Sequence, residues 1–215
     1  MNTVNVYSIF YSLQGESTYM GLPCVFVRLT GCTIGCKYCD TKGVAKATGE
    51  EMTINEVLAK VATFDCQLVE VTGGEPLQQE NAKSLLKALC DAGYEVLLET
   101  SGQEPVADVD KRVHVVMDIK TPGSGVAALL SDENIAHLKD ANAQIKFVIT
   151  DRKDFDFAVM MEKKYSLTRL FPVHISPIAE LDKRQVAGWI LSSKIPFRMQ
   201  LQLHKIIWPN ALGEV

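Results

Sequence analysis

The sequence predicts an α/β fold, a parallel β-sheet whose strands are joined by right-handed helical crossovers. Three observations predict it. Short runs rich in β-branched residues alternate with amphipathic helical patterns along the chain. Several helical stretches carry their own start or stop signals. Side chains suited to chemistry recur just after the runs: the cysteines after the first, Thr72 to Glu75 after the second, Ser101 after the third and Lys120 after the fourth, with His174 and His204 near the ends of the last two. Alternation alone is satisfied equally by an open doubly wound sheet and by a full or partial barrel. The third observation favours a barrel, because there the strand-end loops converge on one face. The competing explanation is coincidence, since loops are polar in any fold.

The elements follow in order. Strands are expected at Pro23 to Leu29, Leu68 to Val71, Tyr94 to Glu99, Val113 to Ile119, Gln144 to Ile149, Leu170 to Ile175 and Phe197 to Leu203. Thr53-Ile54-Asn55-Glu56 is a capping box, and Ile54, Val57, Leu58 and Val61 share the face that follows it. Ala82, Leu85, Leu86 and Leu89 repeat that spacing, and Gly93 stands where a helix stops. Further helices are expected at Asp132 to Leu138, Lys153 to Lys164 and Glu180 to Ser192.

A chain of 215 residues, 47% of them hydrophobic, supports one sizeable core, so residues 1–215 are expected to form a single domain. The formal net charge of -4 and the pI near 5.6, with no basic block, argue against a nucleic-acid surface and for a small-molecule substrate. No apolar run approaches the roughly 20 residues of a membrane span, and the start has no signal-peptide pattern, so no membrane partner and a cytoplasmic location are expected. The six cysteines should then be reduced thiols rather than a disulfide framework. Cys24, Cys66 and Cys90 stand alone in apolar surroundings and read as core residues.

The other three crowd together. Cys32-Thr-Ile-Gly-Cys36-Lys-Tyr-Cys39 puts three soft ligands on one loop, a set that selects zinc, copper(I) or an iron-sulfur cluster over hard cations. A structural zinc site would need a fourth protein ligand, and neither a histidine nor a further cysteine is adjacent in sequence. Three thiolates on a four-iron cube leave one iron open to a ligand; zinc and an ordinary electron-transfer cluster remain the alternatives. Val71-Thr72-Gly73-Gly74-Glu75-Pro76 follows a strand. Its glycines would admit a ligand close to the backbone, and its carboxylate could hold an ammonium group. Taken alone, it is an ordinary βα turn.

The cysteine loop, with Tyr38 just before its third cysteine, resembles the signature of radical S-adenosylmethionine (SAM) enzymes, and Gly73-Gly74-Glu75 resembles the segment that binds the SAM amino group there. The segments Phe10 to Glu16, Gly21 to Arg28, Cys39-Asp40-Thr41, Glu99 to Gly102, Lys146 to Ile149 and Gln202 to Trp208 together resemble the 7-carboxy-7-deazaguanine synthase family, in order from residue 10 to residue 208. The Leu13-Gln14-Gly15-Glu16 opening and the Gln202-Leu-His204-Lys205 ending are the more diagnostic parts.

The resemblance implies a partial, shortened parallel β/α barrel of the radical SAM type and a homodimer. It implies a lyase that converts 6-carboxy-5,6,7,8-tetrahydropterin to 7-carboxy-7-deazaguanine with loss of ammonia, on the way to 7-deazapurines such as queuosine. Its cofactors are a 4Fe-4S cluster on Cys32, Cys36 and Cys39, SAM as radical source and Mg2+ on Thr41. An external one-electron donor such as flavodoxin or ferredoxin is also implied. Tyr38, Asp40, Gly74, Ser101, Asp118, Ile119, Lys120 and Ser176 are implied SAM neighbours. Leu13, Gln14, Gly15, Arg28, Thr72 and His204 are implied to meet the pterin, with Lys205 near it. No protein acid or base is assigned, because cluster and SAM carry the chemistry. Read without the resemblance, Thr41 is a turn residue and Arg28 a surface charge as readily as a carboxylate partner.

The sequence also departs from that family: Ser17 replaces a usual glycine, Ser101 a frequent asparagine, and the tail after Trp208 has no matching pattern. The competing functions are a glycyl-radical activating enzyme, which shares the cysteine loop and small size, and a non-enzymatic iron-sulfur carrier.

Overall fold

The computed structural model describes residues 2–127, 131–139 and 141–209. Its strands are β1 (Thr3–Leu13), β2 (Pro23–Leu29), β3 (Glu50–Thr53), β4 (Leu68–Gly73), β5 (Glu95–Thr100), β6 (His114–Asp118), β7 (Ala143–Ile149), β8 (Val173–Pro177) and β9 (Arg198–Met199). Its helices are α1 (Lys42–Lys46), α2 (Ile54–Ala62), α3 (Ala82–Asp91), α4 (Asp132–Leu138), α5 (Arg152–Tyr165), α6 (Leu167–Leu170), α7 (Lys183–Ser193) and α8 (Leu203–Ile207).

Among the described residues the strands form one nine-stranded sheet in the order β3-β1-β2-β4-β5-β6-β7-β8-β9. From β2 to β9 every pairing is parallel, as the alternation of strands and helices predicts. β1 is antiparallel to β2 and to β3. The sheet does not close on itself, yet it curls. The loop after β1 reaches strands far along the order: Thr18 N donates to Gln144 of β7 at 3.0 Å, and Gln200, just after β9, donates to Ser17 O at 3.0 Å. The architecture is a partial barrel.

Alternation along the strands sorts side chains onto two faces. Val25, Val27, Leu29, Val69, Val71, Val96, Leu98, Val115, Met117, Ile119, Ile145, Phe147, Ile149, Val173 and Ile175 point outward and are buried beneath the helices. α2 supplies Val57 and Val61 to that core, α3 supplies Ala82, Leu85, Leu86 and Leu89, and α5 supplies Phe155, Ala158 and Met161. Burying one such leucine or phenylalanine is worth about 1.5–3 kcal/mol. The predicted capping box starts α2: Thr53 Oγ1 accepts Glu56 N at 3.3 Å, and Thr53 N donates back to the Glu56 carboxylate at 2.7 Å. Gly93 follows α3 with φ of 91°, a conformation that suits a residue without a Cβ.

Two sequence expectations are corrected. β1 and β3 were not expected. β1 alternates only loosely, and β3 contains two glutamates, so its pairing with β1 rather than its composition makes it a strand. The strand expected over Phe197 to Leu203 is reduced to β9, and Leu203 begins α8. Gln200 N still donates to Ile175 O of β8, but the Gln200 side chain and the Leu203 N–H are taken up by the loop after β1. The strand expected from Leu170 begins at Val173, because Leu167–Leu170 is a helical turn. No helix among the described residues is long and apolar enough to cross a membrane. All six cysteines are free thiols; Cys24 and Cys90 are buried as expected, and Cys66 is half-buried.

Candidate active site

The inner face of the curled sheet is a lumen with two levels. At the floor Cys24, Leu68 and Leu97 form a small apolar cluster with Phe26, against which Phe10 and Tyr19 pack. Glu70 of β4 is level with Phe26 and Leu97 of that cluster, and above it the strands present Thr72 (β4), Glu99 (β5), Asp118 (β6), Lys146 (β7), and His174 and Ser176 (β8). Arg28 of β2 joins them, its guanidinium 5.6 Å over the Phe10 ring and its buried Nε without a partner. Asp118 Oδ1, His174 Nε2 and Ser176 Oγ are likewise buried without a partner. Orphaned polar atoms cost about 1–3 kcal/mol each, so a lumen that carries several is built to be completed by a polar ligand.

Lys146 organises the charges. Its ammonium lies 2.9 Å from Glu16, 3.7 Å from Asp118 and in direct contact with Glu99. Burial alone would lower its pKa, but the three carboxylates hold it well above the ordinary lysine value. Glu16 answers in kind: burial would raise its pKa, yet Lys146 and hydrogen bonds from Lys146 and Gln202 bring it down to about 2. Burial, assisted by Arg198 and Lys146, lowers His174 to about 4, so its imidazole is neutral at pH 7.

The loop after β1 and α8 cover this lumen together. Leu203 N donates to Gly15 O at 2.9 Å, and Gln202 donates to Glu16 at 2.8 Å. A Cβ on Gly15 would come within 2.3 Å of the His204 ring, so only glycine permits this packing without displacement. Burial lowers the His204 pKa against the opposing pull of Glu16, leaving it neutral at pH 7. Lys205 lies 3.2 Å from Asp40 at the rim.

The cysteine loop lies beyond the end of β2, against the turn after β4. A Cβ on Gly74 would fall 2.1 Å from Gly31 O and 2.7 Å from the Cys32 Cβ. Lys37 N donates to Ser124 O at 3.0 Å, and the Tyr38 hydroxyl reaches Val148 O at 3.5 Å, which ties the loop to the turn after β6 and to β7 itself. Burial, with Asp118 nearby, pushes the Tyr38 hydroxyl up to about 12. Burial also raises the Cys36 thiol, while Lys120 beside it favours the thiolate and the neighbouring Cys39 and Cys32 oppose it. A single ion would draw its thiolates to about 2.3 Å from one point. A four-iron cube instead offers each thiolate its own iron, and three half-exposed thiols on one loop suit that larger group.

Of the residues expected from sequence, Gln14, Gly15, Arg28, Thr72, Asp118, Lys120, Ser176 and His204 meet in or over the lumen, and Leu13 ends β1 beside it. Lys120 binds Asp118 at 2.8 Å, and that carboxylate raises its pKa against the effect of burial. Thr41 lies beside the cysteine loop, its hydroxyl 3.6 Å from Cys39 Sγ and unused in capping α1.

Other positions depart from the expectation. Ile119 sends its side chain into the outer core and its N–H to Lys146 O at 2.8 Å, so only its carbonyl could face a ligand. Asp40 turns to Lys205. Glu75 does not await an ammonium: it is buried and accepts Thr100 Oγ1 (2.7 Å), Ser101 N (2.8 Å), Ser101 Oγ (2.6 Å) and Leu77 N (3.2 Å). Ser101 is thereby a partner of Glu75. An amino group at this turn is left with backbone carbonyls.

Sequence reading noted His174 at a strand end and placed Glu16, Glu99 and Lys146 in family-like segments, but gave none of these, nor Glu70, a specific role. The available signal was a charged or polar residue placed between strongly apolar neighbours, as in Ile145-Lys146-Phe147 and Val173-His174-Ile175. A cavity of about 530 Å³ between α5, α6 and α7, lined by Arg152, Phe155 and Trp189, is on the helical exterior and shares no residue with the lumen.

A partial barrel with three thiols on the loop after its second strand is a radical SAM arrangement. Residues 26–142 match the family model described as the Radical SAM superfamily, and the chain belongs to that superfamily. The 7-carboxy-7-deazaguanine synthase of Chlorobaculum tepidum is 44% identical over 98% of this chain and 97% of its own length. That of Koribacter versatilis is 38% identical over 98% of this chain and 100% of its own. Within the superfamily, the chain belongs to the 7-carboxy-7-deazaguanine synthases. The crystal structure of QueE from Escherichia coli shares the fold, with a TM-score of 0.77 at 22% identity, covering 94% of this chain and 95% of that one. SuiB of Streptococcus suis bound to S-adenosylmethionine aligns with a TM-score of 0.56 over 86% of this chain and 52% of its own.

Proposed function

We propose that this chain is a radical SAM lyase that converts 6-carboxy-5,6,7,8-tetrahydropterin to 7-carboxy-7-deazaguanine with release of ammonia, serving 7-deazapurine (queuosine) biosynthesis. The observation that carries the reading is near-full-length identity, at 44%, to a curated 7-carboxy-7-deazaguanine synthase. The lumen adds chemical support, since it is polar and covered by the loop after β1 and by α8. That enclosure suits a heterocycle better than a protein backbone, which disfavours an activating enzyme.

Cys32, Cys36 and Cys39 would hold a 4Fe-4S cluster. When bound, the cluster and SAM supply the reductively generated 5'-deoxyadenosyl radical that abstracts a substrate hydrogen. The chain's own part is orientation and exclusion of water. Backbone groups of Leu13, Gln14 and Gly15 would align the pterin edge, with the Thr72 hydroxyl beside it. Arg28 has a free buried Nε and a fork suited to the substrate carboxylate. Glu16 and Glu99, both ion-paired to Lys146, present carboxylate oxygens to heterocycle N–H groups. His204, held neutral against Gly15, would close the site as donor or acceptor.

Tyr38, Gly74, Asp118, Lys120, Ser176 and the Ile119 carbonyl would surround SAM, with Ser101 acting through Glu75 and Asp40 at the rim. The Thr41 hydroxyl would contribute one oxygen to Mg2+, a hard ion that keeps waters and substrate oxygens as its other ligands. An external one-electron donor such as flavodoxin or ferredoxin, a single-domain homodimer and a cytoplasmic setting complete the proposal. Anaerobic turnover of the reconstituted protein with reductant, SAM and the carboxytetrahydropterin is expected to yield 7-carboxy-7-deazaguanine. Deoxyadenosine without that product, or intact SAM, would refute the assignment.

A further inference from the structure

Glu70 lies in β4 with its side chain in the lumen and 4% of its surface exposed, in register with Phe26 of β2 and Leu97 of β5. Its carboxyl accepts the side-chain amide of Gln14. The same Gln14 side chain accepts Glu16 N at 3.1 Å through its oxygen. Backbone bonds from Gln14 N to Leu22 O and from Gly21 N to Gln14 O, both 2.8 Å, fasten the loop at its base. A single buried amide thus links a sheet carboxyl to the segment that carries Gln14, Gly15 and Glu16.

We propose that Glu70 is a positioning residue for the substrate-binding loop, acting through Gln14 to fix where Gln14, Gly15 and Glu16 stand over the lumen. The inference rests on the pterin reading above for the loop's function, but not for its geometry.

The charges around Glu70 make this link sensitive to pH. Facing it are Glu99 from β5, Lys146 from β7, Gln14 and Glu16 from the loop, and the Cys24 thiol and Phe26 ring from β2, with Arg28 farther up the same strand. Lys146 is already shared between Glu16 and Glu99. Burial and then Glu99 raise the Glu70 pKa to about 8, against the pull of Gln14 and Lys146. At pH 7 Glu70 is therefore a neutral acid. Above about 8 it adds a negative charge to an enclosed space where the available ammonium is already engaged. Glu99 and Lys146 are fixed in strands, so the loop, which helps to bury Glu70, is the part that can yield and let water reach the charge. The sign follows: an open loop lets water reach Glu70 and returns its pKa toward the ordinary carboxylate range, so loop order and pterin affinity are complete below that range, fall by up to about tenfold per unit as pH rises toward about 8, and level off above it.

The test uses the reconstituted full chain. In hydrogen exchange without pterin, the Glu16 amide of the unmodified protein is expected to lose protection between pH 6 and 8, by up to about tenfold per unit beyond the intrinsic base-catalysed rise, and to lose no more above about pH 8. Glu70→Gln keeps an acceptor for Gln14 without the ionisation, so its Glu16 protection stays constant over that range. Glu70→Leu removes the acceptor, and the protection is absent already at pH 6. Equilibrium binding of 6-carboxy-5,6,7,8-tetrahydropterin should follow the same pattern, weakening by up to about tenfold per unit in the unmodified protein and holding steady in Glu70→Gln. A loss between pH 6 and 8 that persists in Glu70→Gln overturns the proposal, as does a folded Glu70→Leu that retains Glu16 protection. If Glu70→Leu does not fold, the Glu70→Gln profile decides alone. Should the protein take up no pterin while Glu16 protection still tracks Glu70, the substrate reading fails and the positioning role stands.

Discussion

The two faces of the sheet come from the same strands and are stabilised in opposite ways. Outward positions such as Val27, Val71, Leu98 and Phe147 are apolar and covered by helices. Inward positions two residues away or fewer, such as Glu70, Glu99 and Lys146, bury charge. Burial on the outer face is favourable in itself. On the inner face it is unfavourable until charges are matched, and the matching is left incomplete at Arg28, Asp118, His174 and Ser176. The outer face therefore holds the fold, and the inner face spends part of that stability on a prepared pocket.

The comparison breaks most sharply at Lys146. Lys146→Met leaves Glu16, Glu99 and Asp118 without their shared ammonium, and the expected cost is about 3–5 kcal/mol in denaturant unfolding, with turnover lost. A loss below about 1 kcal/mol would mean that the inner charges are solvated and the contrast is overstated. Leu86→Ala on the outer face should cost about 2–5 kcal/mol through the cavity it leaves. Its KM for pterin should stay unchanged, because the lumen does not share that side chain; a raised KM would show the faces to be coupled.

Gly74→Ala forces a Cβ against Gly31 O. It should cost about 1–3 kcal/mol and lower the iron retained after anaerobic reconstitution. Full iron content would show that the cysteine loop accommodates the shift. The smallest effect is expected at Thr53→Ala, which removes a cap remote from the lumen. It should lower stability by about 1 kcal/mol with kcat unaltered, as read by urea midpoint and steady-state kinetics.

The same contrast explains what could be read from the sequence. Outer-face periodicity placed α2, α3 and α4 and the parallel strands, since apolar spacing there obeys local geometry. The capping box at Thr53 and the stop at Gly93 are local chemistry and appear as read. β3 was hidden because Glu50 and Glu51 become strand through a partner some 45 residues away. The end of the chain misled because Gln200, Leu201, Gln202 and Leu203 alternate like a strand, whereas the glutamines and the Leu203 N–H are used to grip the loop after β1.

At the site, Cys32, Cys36 and Cys39 were legible from spacing. The Lys146 network was not, since its members come from a loop and three strands and meet only when the sheet curls. Glu75 was legible as important but not in its use: nothing in Gly-Gly-Glu reveals that Thr100, Ser101 and Leu77 will occupy its oxygens. Ser17, where a glycine is usual in the family, adopts φ of 65°. Its hydroxyl accepts Tyr19 N at 3.1 Å, which offsets some of the strain.

The bond from Gln202 to Glu16 spans 186 residues of sequence. Contacts of such separation are the slowest to form, because the chain between them must already be ordered. A nascent polypeptide can therefore assemble its sheet and helices, and even its cysteine loop, before its pocket has a roof. Competence to retain substrate arrives only once Gln200, Gln202 and α8 are in place, so a chain truncated before Gln200 should be a folded protein with an open cup.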